Sequence, residues 1–236
     1  MQLKKFAKKY KRQIITAAAL AAVVYVFVAI GIFSYYQSND RVTNRITSKN
    51  GSVTLYEPQW DNNGQQKAHM SEPGMTIEKD PYAYNNGQVD LYVRLKMTIK
   101  LSGTSDVSNQ DQKNAILGAI KYKNNSGVYV PFLTQSNTCV NDSYYMDQFT
   151  IDNTDTLVMY FYYTNSDEDH YMQRVRPNES TPELFNRIDI PIYTKDYLGI
   201  FDKPYDIVVE AQALPADNFI QIPRADDTTF LQKWSQ

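Results

Sequence analysis

Residues 90–101 read DLYVRLKMTIKL, with Leu91, Val93, Leu95, Met97, Ile99 and Leu101 alternating with Asp90, Tyr92, Arg94, Lys96, Thr98 and Lys100. Side chains on a strand point alternately to opposite faces, so a strict period of two over this length specifies a strand and is incompatible with a helix's 3.6-residue repeat. One apolar face and one polar face describe an antiparallel sheet covered on one side and solvated on the other.

The same pattern recurs on both sides of this stretch. Residues 53–56, 127–133, 157–164 (LVMYFYYT), 188–193 and 206–214 read as further strands, and Ile207, Val209, Ala211 and Ala213 share a face in the last. Residues 157–164 are apolar or aromatic on both faces, which predicts a strand buried inside the domain. Tight turns are expected at Asn50-Gly51, Asn63-Gly64, Asn86-Gly87 and Ser126-Gly127, because these pairs accept positive φ at little steric cost. Short helices are expected over residues 110–121, over a piece opened by Ser180-Thr181-Pro182-Glu183 with capping-box spacing, and over residues 226–234. The fold class is all-β: a jelly-roll-like antiparallel β-sandwich with a few short helices.

Residues 1–34 have a different composition. Lys4, Lys5, Lys8, Lys9, Lys11 and Arg12 precede residues 14–33, which carry no charge. A basic region followed by an apolar run is the order of an export signal, expected here as an N-terminal hydrophobic helix. Gly31, Ser34 and Tyr35 mark the expected cleavage region. The run is also long enough to span a bilayer, so an uncleaved membrane anchor is the alternative. Membrane contact is expected only through residues 14–33. The expected organisation is residues 1–34 as signal, 35–47 as an extended segment, and 48–236 as one extracellular domain.

The chain carries 24 Lys and Arg against 26 Asp and Glu; without the six basic residues of the leader, 18 remain against 26, a formal charge of −8. An acidic surface without a basic run argues against nucleic acid as a partner. The single cysteine, Cys139, cannot form an internal disulfide and reads as a small buried hydrophobe.

Several segments together resemble the TasA and camelysin family, and more narrowly the BsaA-type biofilm matrix proteins exported through a SipW-type signal peptidase. They are RVTNRIT (41–47), VTLYEPQWD (53–61), EPGMTIEKDP (72–81), NNG (85–87), YVRLK (92–96) and VEAQA (209–213), in that order along the chain. The family motif residues are Glu57, Pro58, Trp60, Pro73, Gly74, Lys79, Asp80, Pro81, Asn85 and Val93. The resemblance implies a secreted, non-enzymatic fibre subunit of the extracellular matrix or cell surface in Gram-positive bacteria. Its partners would be further copies of itself, a SipW-type signal peptidase and minor matrix subunits. It further implies that residues 35–47, freed by cleavage, insert as a donor strand into the next copy, with Tyr36, Val42, Asn44 and Ile46 as assembly residues. A surface display or binding module is the alternative function.

Camelysin-like relatives have been described as metalloproteases, so metal chemistry is a weaker third reading. No His-Glu-x-x-His motif occurs, and the two histidines, His69 and His170, lie far apart in polar stretches. Asp167-Glu168-Asp169-His170 lacks the spacing of a calcium loop and reads as a surface turn. No cofactor and no catalytic residue is expected. Glu72-Pro-Gly74 and Lys79-Asp-Pro81 read as turns, with Asp80 bonding local backbone. A covalent crosslink through Lys79 has no support at this level. Leu214-Pro-Ala-Asp217 is faintly similar to a sorting signal but reads as a strand end.

Overall fold

The structure is a computed structural model, which describes residues 46–47, 52–69, 74–101, 109–134, 138–146, 150–153, 155–165, 169–190 and 205–235. All of these belong to the compact unit Tyr36–Gln236. The expected signal helix, Gly31, Ser34, Tyr35, Tyr36, Val42, Asn44 and Pro73 lie outside the described residues.

The strands are β1 (Ile46–Thr47), β2 (Ser52–Tyr56), β3 (Thr76–Glu78), β4 (Tyr82–Asn85), β5 (Leu91–Leu101), β6 (Ile120–Lys123), β7 (Tyr129–Pro131), β8 (Tyr144–Met146), β9 (Thr150–Asn153), β10 (Thr156–Tyr163), β11 (Arg174–Val175), β12 (Arg187–Asp189) and β13 (Tyr205–Pro215). Helical pieces are a π-helical turn at Trp60–Gly64 running into α1 (Gln65–His69), α2 (Asn109–Ala119) and α3 (Thr228–Leu231). The described part is mostly β, and every strand pairing in it is antiparallel.

β5 organises the largest sheet. It pairs with β13 along its whole length, from Leu91↔Pro215 to Leu101↔Tyr205, and with β10 on its other edge through Met97↔Met159. β10 in turn pairs with β8 and β9. A second sheet has the order β1-β2-β4 and a third β3-β12-β6-β7. Buried side chains from all three, including Val53, Met97, Ile99, Phe161, Ile188 and Val209, form one hydrophobic cluster. The expected burial of β10 on both faces is found.

The polar face of β5 departs from expectation. Tyr92 is fully buried and Arg94 only 7 % exposed, because the chain beyond β13 folds back over that end of the strand. Phe219, Phe230 and Trp234 pack with Tyr92, Tyr160 and Tyr162 as a second apolar cluster. Only Lys96, Thr98 and Lys100 keep the solvated character, and Lys96 pairs across the strands with Glu210 at 3.1 Å.

One helix expectation and one turn expectation also fail. Ser180–Glu183 is extended rather than helical: Ser180 bridges Tyr84, the Thr181 N–H donates to the Ala83 carbonyl, and the Ala83 N–H donates to Thr181 Oγ1. The neighbouring strand satisfies these backbone groups, so the local capping pattern has nothing left to cap. Asn63-Gly64 lies inside the π-helical turn, not in a hairpin. Gly64 is there for space: a Cβ would overlap the Glu78 carbonyl oxygen and stand 2.9 Å from the Trp60 ring. Gly64→Ala is therefore expected to cost about 1–3 kcal/mol as backbone overpacking, measured by denaturant unfolding. Ser126-Gly127 does form the expected turn, with Gly127 at φ 78°.

The helix expected over residues 110–121 is found as α2, ending where Ile120 enters β6. The expected C-terminal helical turn is found as α3, with Asp227 as its N-cap accepting from the Thr229 N–H at 2.8 Å.

Candidate functional site

Two short sequence runs, EPQW at 57–60 and KDP at 79–81, meet at the end of the β1-β2-β4 sheet. Glu57 follows the last residue of β2, and Lys79 and Asp80 join β3 to β4. Strand alternation carries the inward face of β2 from Val53 through Leu55 to Glu57, so the carboxylate enters the interior where an apolar side chain would ordinarily stand.

Lys79 is 1 % exposed and Glu57 5 %. Lys79 Nζ lies 2.9 Å from Glu57 Oε1 and 3.0 Å from Oε2. The ammonium also sits 4.3 Å from the centre of the Trp60 ring. A buried charge of either sign is costly alone, so each of these two groups needs the other. The ring of Trp60 supplies the remaining surface with a face that attracts cations.

Asp80 is 4 % exposed, and Oδ1 accepts from the Gln59 N–H at 2.9 Å. Besides the expected bond to its own backbone, the aspartate reaches 21 residues back to hold the start of the helical turn that carries Trp60. Burial pushes its carboxyl above the usual range, while the backbone N–H groups of Gln59 and Trp60 pull the other way. On the outer side Lys67 Nζ contacts Glu78 Oε2 at 2.5 Å, and this bond lowers the Glu78 carboxyl.

The other motif residues are placed apart from this pair. Gly74 lies in a turn at φ 85°, and Pro58 and Pro81 flank the cluster along the chain. The Pro81 carbonyl accepts from the Leu184 N–H at 2.8 Å. Asn85 is fully buried; Nδ2 donates to the carbonyls of Val89 and Val175, both at 2.8 Å, and Oδ1 accepts from the Gly87 N–H. It ties the β4–β5 turn to β11. Val93 is a core residue of β5.

Of the expected assembly strand, Ile46 is described and forms β1 with Thr47. β1 pairs antiparallel with β2 in the register Ile46↔Val53 and Thr47↔Ser52. The segment ahead of the domain thus ends on the strand that leads to Glu57.

One charged site was not singled out from the sequence. The Arg94 guanidinium lies between the rings of Tyr160 and Trp234, 4.3 and 4.5 Å from their centres, and donates to Gln212 Oε1 at 2.6 Å and Tyr162 Oη at 3.0 Å. Its position on the supposed solvated face concealed it, although the register already sets it beside Gln212 and Tyr162.

Among the described residues, no group of three or more His, Cys, Asp or Glu is arranged to hold a metal ion. His170 has φ 53° and packs its ring 4.4 Å from that of Tyr145. Cys139 is partly buried, and desolvation pushes its thiol up to about 12. Since the thiolate is the reactive form, an alkylating reagent at about pH 8 is expected to label Cys139 far more slowly in the folded protein than after unfolding, read by mass spectrometry. No family model matches this chain, and no characterised protein is significantly similar to it in sequence.

Proposed function

We propose that the protein is an exported, non-enzymatic structural subunit that polymerises on the cell surface or in the extracellular matrix. In this reading the three antiparallel sheets around one core are a jelly-roll-like sandwich. Residues 1–34 are removed on export, and residues 35–47 then pair with β2 of a neighbouring copy. The supporting observation is that β1, the end of that segment, occupies the position beside β2 and leads towards the buried Glu57–Lys79 pair. An extended segment satisfies a strand edge through main-chain hydrogen bonds, and alternate side chains add specificity.

The register makes the reading chemically specific. If the incoming segment keeps the register Ile46↔Val53, its Asn44 falls opposite Leu55 and its Val42 opposite Glu57. Asn44 of the incoming strand then shares the inward face with Leu55 and is a diagonal neighbour of Glu57. A carboxamide, an amine and a carboxylate come together in a dry site. The Lys79 ammonium first passes a proton to the Glu57 carboxylate, and the neutral amine attacks the Asn44 side-chain carbonyl carbon. Protonated Glu57 donates to the amide nitrogen as its C–N bond breaks and takes up the proton that the new amide nitrogen sheds, so one amide bond forms and one ammonia leaves. The product links neighbouring subunits covalently.

Two measurements test this. Deleting residues 35–47 from the exported protein should leave a folded domain that forms no filaments by electron microscopy; normal filaments from it would overturn strand addition. Surface extracts boiled in detergent should run as a multimer ladder for the natural protein and as monomer for Lys79→Arg and Asn44→Ala. A peptide pair joined through Lys79 and Asn44, lighter by one ammonia, should appear only in the ladder. Monomers alone from intact filaments would remove the covalent step and leave the strand contact.

A further inference from the structure

Three tyrosine rings share the outward face of the β2–β4 pair. Alternation turns Val53 and Leu55 of β2 inward and Thr54 and Tyr56 outward, and it turns Ala83 and Asn85 of β4 inward and Tyr82 and Tyr84 outward. The register sets Tyr56 opposite Tyr82 and Thr54 opposite Tyr84. The Tyr56 and Tyr82 rings lie 5.8 Å apart and within 19° of parallel, and the Tyr84 ring meets that of Tyr56 edge-on, also at 5.8 Å. Tyr56 is 44 % exposed, the most of any tyrosine among the described residues. A single exposed ring is ordinary, but three in mutual contact on one sheet face make a platform.

Carboxamides rim this platform. Asn178 has φ 65°, a left-handed conformation that asparagine tolerates better than most residues. Its N–H donates to the Asn85 carbonyl at 2.8 Å, and the Asn85 N–H donates to the Glu179 carbonyl at 2.9 Å, so the loop is clamped to the end of β4. The clamp sets the Asn178 side chain beside the rings, where Oδ1 accepts from Tyr84 Oη at 3.3 Å and the two amide hydrogens are left to donate elsewhere. Asn86 Nδ2 donates to Thr54 Oγ1 at 3.1 Å, which leaves the Asn86 side-chain oxygen as an acceptor.

Charge narrows what fits there. Burial first, then the nearby carboxylates of Asp80 and Glu183, push the Tyr82 phenol up, so the field at the face is negative. Arg176, on the neighbouring loop, already stands 3.9 Å from Glu179. Phosphate and carboxylate chains are therefore disfavoured. The rim of amides and hydroxyls also gives no dry aliphatic centre of the kind that stable protein contacts bury. We propose that this face binds a neutral glycan chain. The C–H faces of hexose rings lie against the electron-rich faces of the tyrosines, and sugar hydroxyls bond the amides of Asn178 and Asn86. Strand addition uses the edge of β2 and leaves this face open, so the inference goes beyond the self-assembly reading and does not rest on it.

The test applies the exported protein, recovered from producing cells, to beads carrying chitohexaose, cellohexaose or, as an anionic control, polygalacturonate. Retention on a neutral chain, release by the same free hexasaccharide and no retention on the anion are expected. Tyr56→Phe keeps the ring face and should bind within about 2-fold of the natural protein, whereas Tyr56→Leu keeps apolar bulk without the ring and should bind about 10-fold more weakly or worse. Asn178→Gly, which suits the left-handed backbone but lacks the amide, should weaken binding several-fold. In the natural protein the bound hexasaccharide should also shield Tyr56 from nitration by tetranitromethane, read by mass spectrometry, a result that depends on no variant. No retention on either neutral chain, preference for the anionic one, full binding by Tyr56→Leu or an unshielded Tyr56 overturns the proposal. Deleting residues 35–47 should abolish filaments and leave retention on the beads, so failure of assembly and failure of glycan binding are read separately.

Discussion

Lys79→Met is expected to destabilise the protein by about 3–5 kcal/mol, seen as a lower denaturant midpoint at unchanged slope. The substitution keeps the length and the apolar stem of the side chain but removes the ammonium that stands 2.9 and 3.0 Å from the two Glu57 carboxylate oxygens. A carboxylate 5 % exposed then loses that cation, and its desolvation is no longer offset by the pairing. Adding Glu57→Leu to Lys79→Met should recover most of the stability, since an apolar pair of similar volume carries no desolvation cost. A double variant as unstable as the single one would show that packing against Trp60, not charge pairing, dominates the site. The recovered double variant would also be unable to form the Lys79–Asn44 link, which separates the structural role of the pair from its proposed chemistry.

How far such a site is legible in sequence depends on where its partners lie. β5, β10 and β13 are readable because each carries its instruction locally, as alternation in the first and last and continuous apolar character in the second. The capping-box pattern of Ser180–Glu183 is equally local, yet it yields to backbone bonds with Ala83 almost a hundred residues earlier. Asn63-Gly64 looks like a hairpin turn until Glu78 and Trp60 close around the glycine. In the candidate site, Glu57, Trp60, Lys79 and Asp80 could be named from their motifs. That Lys79 pairs with Glu57 while Asp80 holds Gln59 is set by the approach of β3 and β4 to β2, which no spacing encodes. Arg94 is the extreme case: Trp234, whose ring and carbonyl it meets, is 140 residues away.

That distant closure gives the second large expectation. Phe230→Ala should destabilise the fold by about 3–5 kcal/mol, the usual range for removing a buried aromatic ring. Phe230 is 3 % exposed, the one buried side chain of α3, and its ring meets those of Tyr92, Phe219 and Trp234 in edge-to-face geometry at 6.4, 5.4 and 5.9 Å. Truncation leaves a void on the outer side of β5, where Tyr92 would otherwise face water. The α3 turn is too short to hold by its own hydrogen bonds, so its anchorage depends on this ring together with Trp234 above Arg94. Two readouts distinguish a local from a global effect. If the segment is part of the cooperative core, far-ultraviolet and near-ultraviolet circular dichroism should lose signal together at a lower temperature. If it is an independent strap, the near-ultraviolet signal of the aromatic cluster should fall first, with the main transition moved by less than about 1 kcal/mol. The burial of Tyr92 and Tyr162 beneath it favours the cooperative outcome, because losing the cover would strand two large rings of the central strands in solvent.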